Sequence, residues 1–428
     1  MDKPFFVSAP GKVILFGEHS AVYGKPAIAA ALSLRTYLLV TPNQDPESIR
    51  LDFPDIQLSH SWKKSELPFE QSKPFIQYEE GLPKVSTELI PEIVDKLSIL
   101  LADMNNTFHY KACISFLYLY LHLCGADVAG VTMTVRSTVP IGAGLGSSAC
   151  VSVCLAAALS MIGGHITKPP FGLREKADAT DVKELDFIDQ WSFIGEKMFH
   201  GNPSGIDNAV ATHGGAVMFQ RMTNPSQPSV RTTMRNFPPL KMLLTNTKVP
   251  RSTAHLVSDV SRINSEYSKI CEPILDAMGS ISTTAYQLMI EPNFDELHKQ
   301  KLRQLASVNH GLLVALGVSH PALEQVKMIA DIEQIGVTKL TGAGGGGCAI
   351  TLVDDSVAEE KIQQVISQYT AKGFECYETS LGGKGVGALF MDDCNHAVFA
   401  ADAFAKFGTR ADIEQALHFD VVGDWKFW

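Results

Sequence analysis

Between a strand-like segment and an apolar helix, this chain of 428 residues inserts Gly142-Ala143-Gly144-Leu145-Gly146-Ser147-Ser148. Val131–Val135 alternates apolar residues with threonine, the period of a strand, and the run from about Ser148 to Ile162 is apolar enough to be a buried helix. A helix that opens on glycines and serines leaves its first backbone N–H groups unpaired, and its dipole adds positive potential there. A polyphosphate fits such a loop, and a serine hydroxyl within it is a suitable Mg2+ ligand. The same residues also suit a glycine-rich turn capped by serine, and the loop alone does not choose between the two.

The surrounding pattern predicts an α+β chain. Residues 4–17 read as two strand segments meeting at Pro10-Gly11, so that Lys12 starts the second. The stretch from Thr41 to about Leu82 reads as irregular connections around a short strand, Ile49–Phe53. Helical periodicity covers Thr87–Met104, Phe108–Leu123, 181–200 and, with Ser204 as N-cap, Ser204–Thr212. Gly214–Gln220 returns as a strand. The polar, proline-bearing stretch 221–239 is the candidate domain boundary, dividing the chain into 1–230 and 231–428. Beyond it, Lys241–Thr245, Cys348–Val353, Phe374–Thr379 and Gly385–Met391 read as strands, with helices across 252–334 and between the second and third strands. The last 35 residues show no clear pattern.

Composition excludes several function classes. A net charge of −10, with no basic run longer than Lys63-Lys64, gives nucleic acid no attracting field. The apolar stretches Ala112–Cys124 and Ala149–Ile162 are too short to span a bilayer, so no membrane partner is expected. MDKPFFVSAP lacks a basic-then-apolar leader, which sets the expectation of a cytoplasmic protein. The eight cysteines form no Cys-x-x-Cys pair and read as reduced, buried thiols. Walker, protein-kinase, nucleophile-elbow and zinc-helix motifs are missing.

Three further segments carry suitable chemistry. Glu196 and Asp207 flank a tight turn, Gly201-Asn202-Pro203; phosphoryl transfer needs one carboxylate to hold Mg2+ and another group to orient the acceptor hydroxyl. Both residues also suit solvated helix ends, where the dipole favours Asp207. Lys12 lies in an apolar strand and needs an anionic partner, for which Asp207 is a candidate, unless the strand lies at an edge and the lysine snorkels. Gly342-Ala343-Gly344-Gly345-Gly346-Gly347 formally satisfies a dinucleotide fingerprint, but a strand follows it where a helix is required, so it reads as a tight loop against a ligand or another loop.

Taken in order, Pro10-Gly11-Lys12-Val13, Pro140–Ala149 and Lys339–Cys348 resemble the three motifs of the galactokinase, homoserine kinase, mevalonate kinase and phosphomevalonate kinase (GHMP) superfamily. Within it, GEHSAVYGKPAIA at 17–29, GLGSSA at 144–149, GEKMFHGNPSGIDNAV at 195–210, TNTKVPRST at 245–253 and KLTGAGGGGC at 339–348 are similar to the eukaryotic mevalonate kinases. Galactokinases are expected to differ in the second loop and by a sugar-binding signature near the N-terminus. Departures from the family pattern are Ser20 and the sequence at 41–85 and after 392.

The resemblance implies a two-domain α+β architecture, the N-terminal domain like the second domain of ribosomal protein S5 and the C-terminal domain ferredoxin-like. It implies ATP and mevalonate as substrates, Mg2+ as cofactor, a place in isoprenoid and sterol synthesis, and a homodimer. Asp207 becomes the catalytic carboxylate beside the C5 hydroxyl, with Lys12 its partner near the γ-phosphate. Ser148 and Glu196 become the Mg2+ ligands. Gly142, Ala143, Gly144, Leu145, Gly146, Ser147 and Ser148 would cradle the ATP phosphates, with Ser137 touching the nucleotide and Gly342, Gly344 and Gly345 closing over it. Glu18, His19, Thr247 and Arg251 fall near mevalonate, and Arg251 suits its carboxylate because a guanidinium pairs with one bidentately.

Overall fold

A computed structural model describes residues 3–172, 182–201, 203–222, 229–234, 237, 240–393, 397–419 and 422–428. It opens on a long antiparallel pair, β1 (Phe5–Phe16) and β2 (Ala27–Pro42). The expected break at Pro10-Gly11 is instead one continuous strand whose register shifts between Pro10 and Lys12. Proline cannot donate to a ladder, and here the chain absorbs it as a bulge rather than a turn. The bulge brings strand and loop together: Lys12 N donates to Leu145 O at 2.9 Å.

Next come β3 (Ser48–Phe53) and β4 (Leu58–Lys63), a hairpin of which only the first strand was expected. α1 (Pro91–Leu100) is shorter than its periodic stretch, since Pro91 fixes its first turn. α2 (Thr107–Leu123) starts where the Asn106 side chain accepts from Phe108 N and His109 N. β5 (Val131–Ser137) pairs antiparallel with β2 and parallel with β3. α3 (Ser147–Ile162) is apolar on every side, and every residue from Ala149 to Met161 is buried. α4 (Val182–His200) packs on it and leads to α5 (Ile206–His213), capped by Gly205 rather than by Ser204; the Ser204 hydroxyl accepts from Ile206 N at a long 3.4 Å. β6 (Ala216–Gln220) pairs with β7 (Val230–Met234). Much of the candidate boundary at 221–239 lies outside the described residues.

Four antiparallel strands carry the second half: β8 (Leu240–Asn246), β9 (Gly336–Leu340), β10 (Cys348–Val353) and, after α10, β11 (Glu375–Leu381). Their order in the sheet is β9-β10-β8-β11, the ferredoxin-like arrangement. Between β8 and β9 run α6 (Thr253–Glu266), α7 (Ser268–Met289), α8 (Glu296–Ala315) and α9 (Pro321–Glu333), while α10 (Glu359–Ala371) joins β10 to β11. The β11–β2 pairing at Leu381 and Leu32 joins the two halves into one sheet.

The chain then returns to its beginning. β12 (Gly387–Phe390) pairs with β1, and Phe404, Ile413, Leu417, Trp425 and Phe427 bury against Phe6, Tyr37 and Leu39. Arg35, wholly buried, donates to Ser8 Oγ, Ser8 O, Lys384 O and Gly385 O. Carbonyls and a hydroxyl satisfy its donors here, and burial lowers it to about 10. Among the described cysteines all thiols are free, and burial raises Cys113, Cys124, Cys150, Cys154, Cys348 and Cys376; Cys394 lies outside the described residues.

Candidate active site

A cavity of about 640 Å³ opens where β1, α3, α4 and α5 converge under the 342–347 loop. Gly142, Gly144 and Gly146 all lie at positive φ, so the loop alternates direction and presents its backbone to the cavity. At Gly146 a Cβ would come 3.1 Å from Lys12 Cγ and 3.5 Å from an Asp207 carboxylate oxygen, so a side chain there would intrude on that pair.

Asp207 stands in the first turn of α5 and Lys12 just past the bulge of β1. Lys12 Nζ lies 3.3 Å from Asp207 Oδ1 and 3.2 Å from Gly144 O, with only 10% of its side chain exposed. Across the cavity Ser148 Oγ donates to Glu196 Oε1 at 2.8 Å. Ser152 Oγ donates to Glu196 Oε2 at 3.5 Å, and His200 Nε2 lies 3.2 Å from Ser148 Oγ. Burial pushes the Glu196 carboxyl up to about 8; Asp207 adds to the shift, and Ser148, Ser152 and Lys12 oppose it. A buried carboxylate beside a hydroxyl, short of positive charge, is a fitting half-shell for a hard cation that takes its remaining oxygens from phosphate and water. Among the described residues no cluster of three His, Cys, Asp or Glu offers a complete protein cage.

Several residues expected at the site are engaged elsewhere. Glu18 lines the cavity, but its carboxylate forms a wholly buried ion pair with Lys339 and accepts from Asn309 Nδ2 at 3.0 Å. Burial lowers Lys339, with Glu18 opposing. Thr247 Oγ1 donates to Gly347 O at 2.8 Å and does not line the cavity. Ser137 is also outside it: its hydroxyl lies 2.9 Å from Thr36 Oγ1, and its N–H donates to Asp55. Gly344 and Gly345 turn away, Gly345 N donating to Val318 O at 2.8 Å, while Gly342 and Ala343 line the cavity. His19, also lining it, lies with Nε2 2.8 Å from Ala343 O. Arg251 spans both loops, donating to Ala143 O at 3.1 Å and Gly346 O at 3.3 Å.

The sequence reading missed the far end of the cavity, where Phe53, Ile56, Phe108 and Ile141 make an apolar mouth and Lys111 donates to Phe199 O at 2.6 Å. These residues come from distant segments with no shared motif. His200 had a signal, its position four residues after Glu196 on one helix face.

Comparison with known proteins gives the same picture. The family description "GHMP kinases N terminal domain" matches residues 109–215, and "GHMP kinases C terminal" matches 290–372. The "Galactokinase galactose-binding signature" matches residues 1–42, although the sequence reading expected such a signature to set galactokinases apart. That span is β1, its turn and β2, and Lys12, Ile14, Glu18 and His19 within it line the cavity. The chain is 58% identical over 427 residues to a mevalonate kinase of Candida albicans, covering 99% of each chain. It is 42% identical to the mevalonate kinase of Saccharomyces cerevisiae, over 92% of this chain and 91% of that one. In fold it resembles the crystal structure of the Methanococcus jannaschii mevalonate kinase, with a TM-score of 0.63 at 23% identity, over 88% of this chain and 98% of the other.

Proposed function

Because the chain belongs to the mevalonate kinase family of the GHMP kinases, we propose that it transfers the γ-phosphoryl group of ATP to the C5 hydroxyl of mevalonate. The observation that carries this reading is the Lys12–Asp207 pair, 3.3 Å apart, in the same cavity as the N-terminus of α3. ATP phosphates rest on the 142–148 loop, where backbone N–H groups and the helix dipole neutralise them. Phe53, Ile56, Phe108 and Ile141 offer the flat, apolar surroundings a purine takes. The acceptor hydroxyl donates to Asp207, which orients it in line with the γ-phosphorus and takes its proton as the new O–P bond forms. Lys12 faces the transferring group and offsets the charge on its equatorial oxygens.

Ser148 and Glu196 would hold Mg2+, which when bound neutralises and orients the β- and γ-phosphates. Arg251 would exchange a loop carbonyl for the mevalonate carboxylate, a stronger acceptor. The division near 230/231 is supported by the two family matches falling on either side of it, with residues 387–428 returning to the first unit. Isoprenoid and sterol synthesis is the pathway we assign, the cytoplasm the compartment and a homodimer the assembly.

A coupled ADP-release assay tests the reaction across mevalonate, phosphomevalonate, homoserine and galactose. Mevalonate should give the highest kcat/KM, and preference for another alcohol would overturn the assignment. Asp207→Ala should lower turnover by roughly 10²–10⁴-fold with nucleotide binding retained.

A further inference from the structure

One face of α4 carries Asp189, Ser192, Glu196 and His200, spaced three or four residues apart along the helix. Glu196 and His200 belong to the site already described. Asp189 and Ser192 do not line the cavity. Both are nevertheless tied to the short segment that presents Asp207.

Two arms reach that segment. Before Asp207, Gly205 caps α5 at φ 74°, and the Arg231 guanidinium lies against it: a Cβ on Gly205 would come 2.3 Å from Arg231 Nη2. Arg231 Nη1 in turn lies 3.3 Å from Asp189 Oδ2. After Asp207, Asn208 Nδ2 donates to Ser192 Oγ at 3.1 Å, and Ser192 Oγ donates to Asp189 O at 2.8 Å. The backbone of Asp207 is therefore bracketed, two residues before and one residue after, by groups that both end on residue 189. Asp189 is mostly buried, with 15% of its side chain exposed, so its charge depends on Arg231 for compensation. Burial accordingly raises this carboxyl to about 6, with Arg231 opposing.

We propose that Asp189 and Arg231 are positioning residues, a clamp that fixes the Gly205 turn and so aims the Asp207 carboxylate at the acceptor hydroxyl. Arg231 sits on β7, at the start of the crossing into the second half of the chain, so the clamp also ties that crossing to the catalytic turn. Such aiming matters because a displacement of about 1 Å at a reacting group lowers turnover up to roughly 10²-fold. The inference rests on Asp207 being the catalytic carboxylate.

Steady-state kinetics on the full chain test it, with Arg231→Met, Asp189→Asn and the double variant. Each single change should lower kcat about tenfold, part of the cost of misplacing a reacting group, with KM for ATP within about twofold. The double variant should be no worse than the poorer single one, since both remove the same contact. In an Asp207→Ala background, Arg231→Met should cause no further loss. Asp189→Asn keeps the shape of the side chain and guards against a variant that merely fails to fold. Wild-type kcat in Arg231→Met, additive losses in the double variant, a further loss without Asp207, or a fall that follows melting temperature alone would each overturn the clamp. A wild-type chain that releases no ADP with mevalonate would instead overturn the proposed function.

Discussion

The two glycine-rich loops look alike in sequence and behave oppositely in the structure. In 142–148, Gly142 has nothing within 4 Å of where a Cβ would stand, and the loop ends on the open N-terminus of α3. In 342–347 protein already occupies the space at Gly344 and Gly346: a Cβ at Gly344 would lie 2.0 Å from Val318 O, and one at Gly346 2.7 Å from Val249. The glycines of the first loop are open at Gly142 and crowded at Gly144 and Gly146 only by the site side chains Arg251, Lys12 and Asp207, whereas Gly344 and Gly346 of the second pack close to its own chain. Glycine content thus marks a close approach without saying to what.

Substitutions separate these roles. Ser148→Ala, in the first loop, should lower turnover by roughly 10²–10³-fold, the usual cost of losing one charge-stabilising contact, with melting unchanged. Glu196→Gln should raise the Mg2+ concentration needed for half-maximal rate; an unchanged Mg2+ titration would break its pairing with Ser148 as ligand. Acid probes the apolar core instead. His122, stacked on Tyr118 with the Trp191 ring tilted against it, is held neutral by burial at about 4 against an ordinary 6.5. The unfolded chain then binds a proton that the folded chain refuses, so stability falls as pH drops from 6.5 through about 4, by up to ~3 kcal/mol. Denaturant melts of His122→Phe should show a shallower fall over that window.

In the second loop, Gly344→Ala should cost about 2 kcal/mol of stability from positive-φ strain and backbone conflict, read as a lower melting temperature. Loss of turnover with unaltered melting would instead give Gly344 a direct role. The smallest effect belongs to Thr247→Val, about 1 kcal/mol for one hydrogen bond, with KM for mevalonate unchanged if the residue only pins Gly347.

Much of the scaffold was legible because its signals are local. The periodic run Phe108–Leu123 marked α2 to within one residue of its start, and the alternation of 131–135 marked β5. The Lys12–Asp207 contact was legible from chemistry, since a lysine in an apolar strand needs a counter-charge. Glu18 was not, because its partner Lys339 lies 321 residues away and a carboxylate beside a turn reads the same whether it faces a ligand or the interior. The Ser137–Thr36 contact was hidden for a similar reason: nothing in a strand-end serine tells which hydroxyl across the sheet will engage it. The bulge at Pro10 looked like a turn because proline and glycine mark both, and only the neighbouring strand β2 decides between them.

The return of residues 387–428 onto β1 and β2 has a consequence for synthesis. Phe6, Tyr37 and Leu39 leave the ribosome early, but Trp425 and Phe427, which cover them, emerge only after the whole second half has been made. The first layer must wait with an apolar face uncovered, a species open to chaperone capture and aggregation. Shortening the chain from residue 425 onward should therefore reduce soluble yield more than it harms the chemistry of any molecule that does fold.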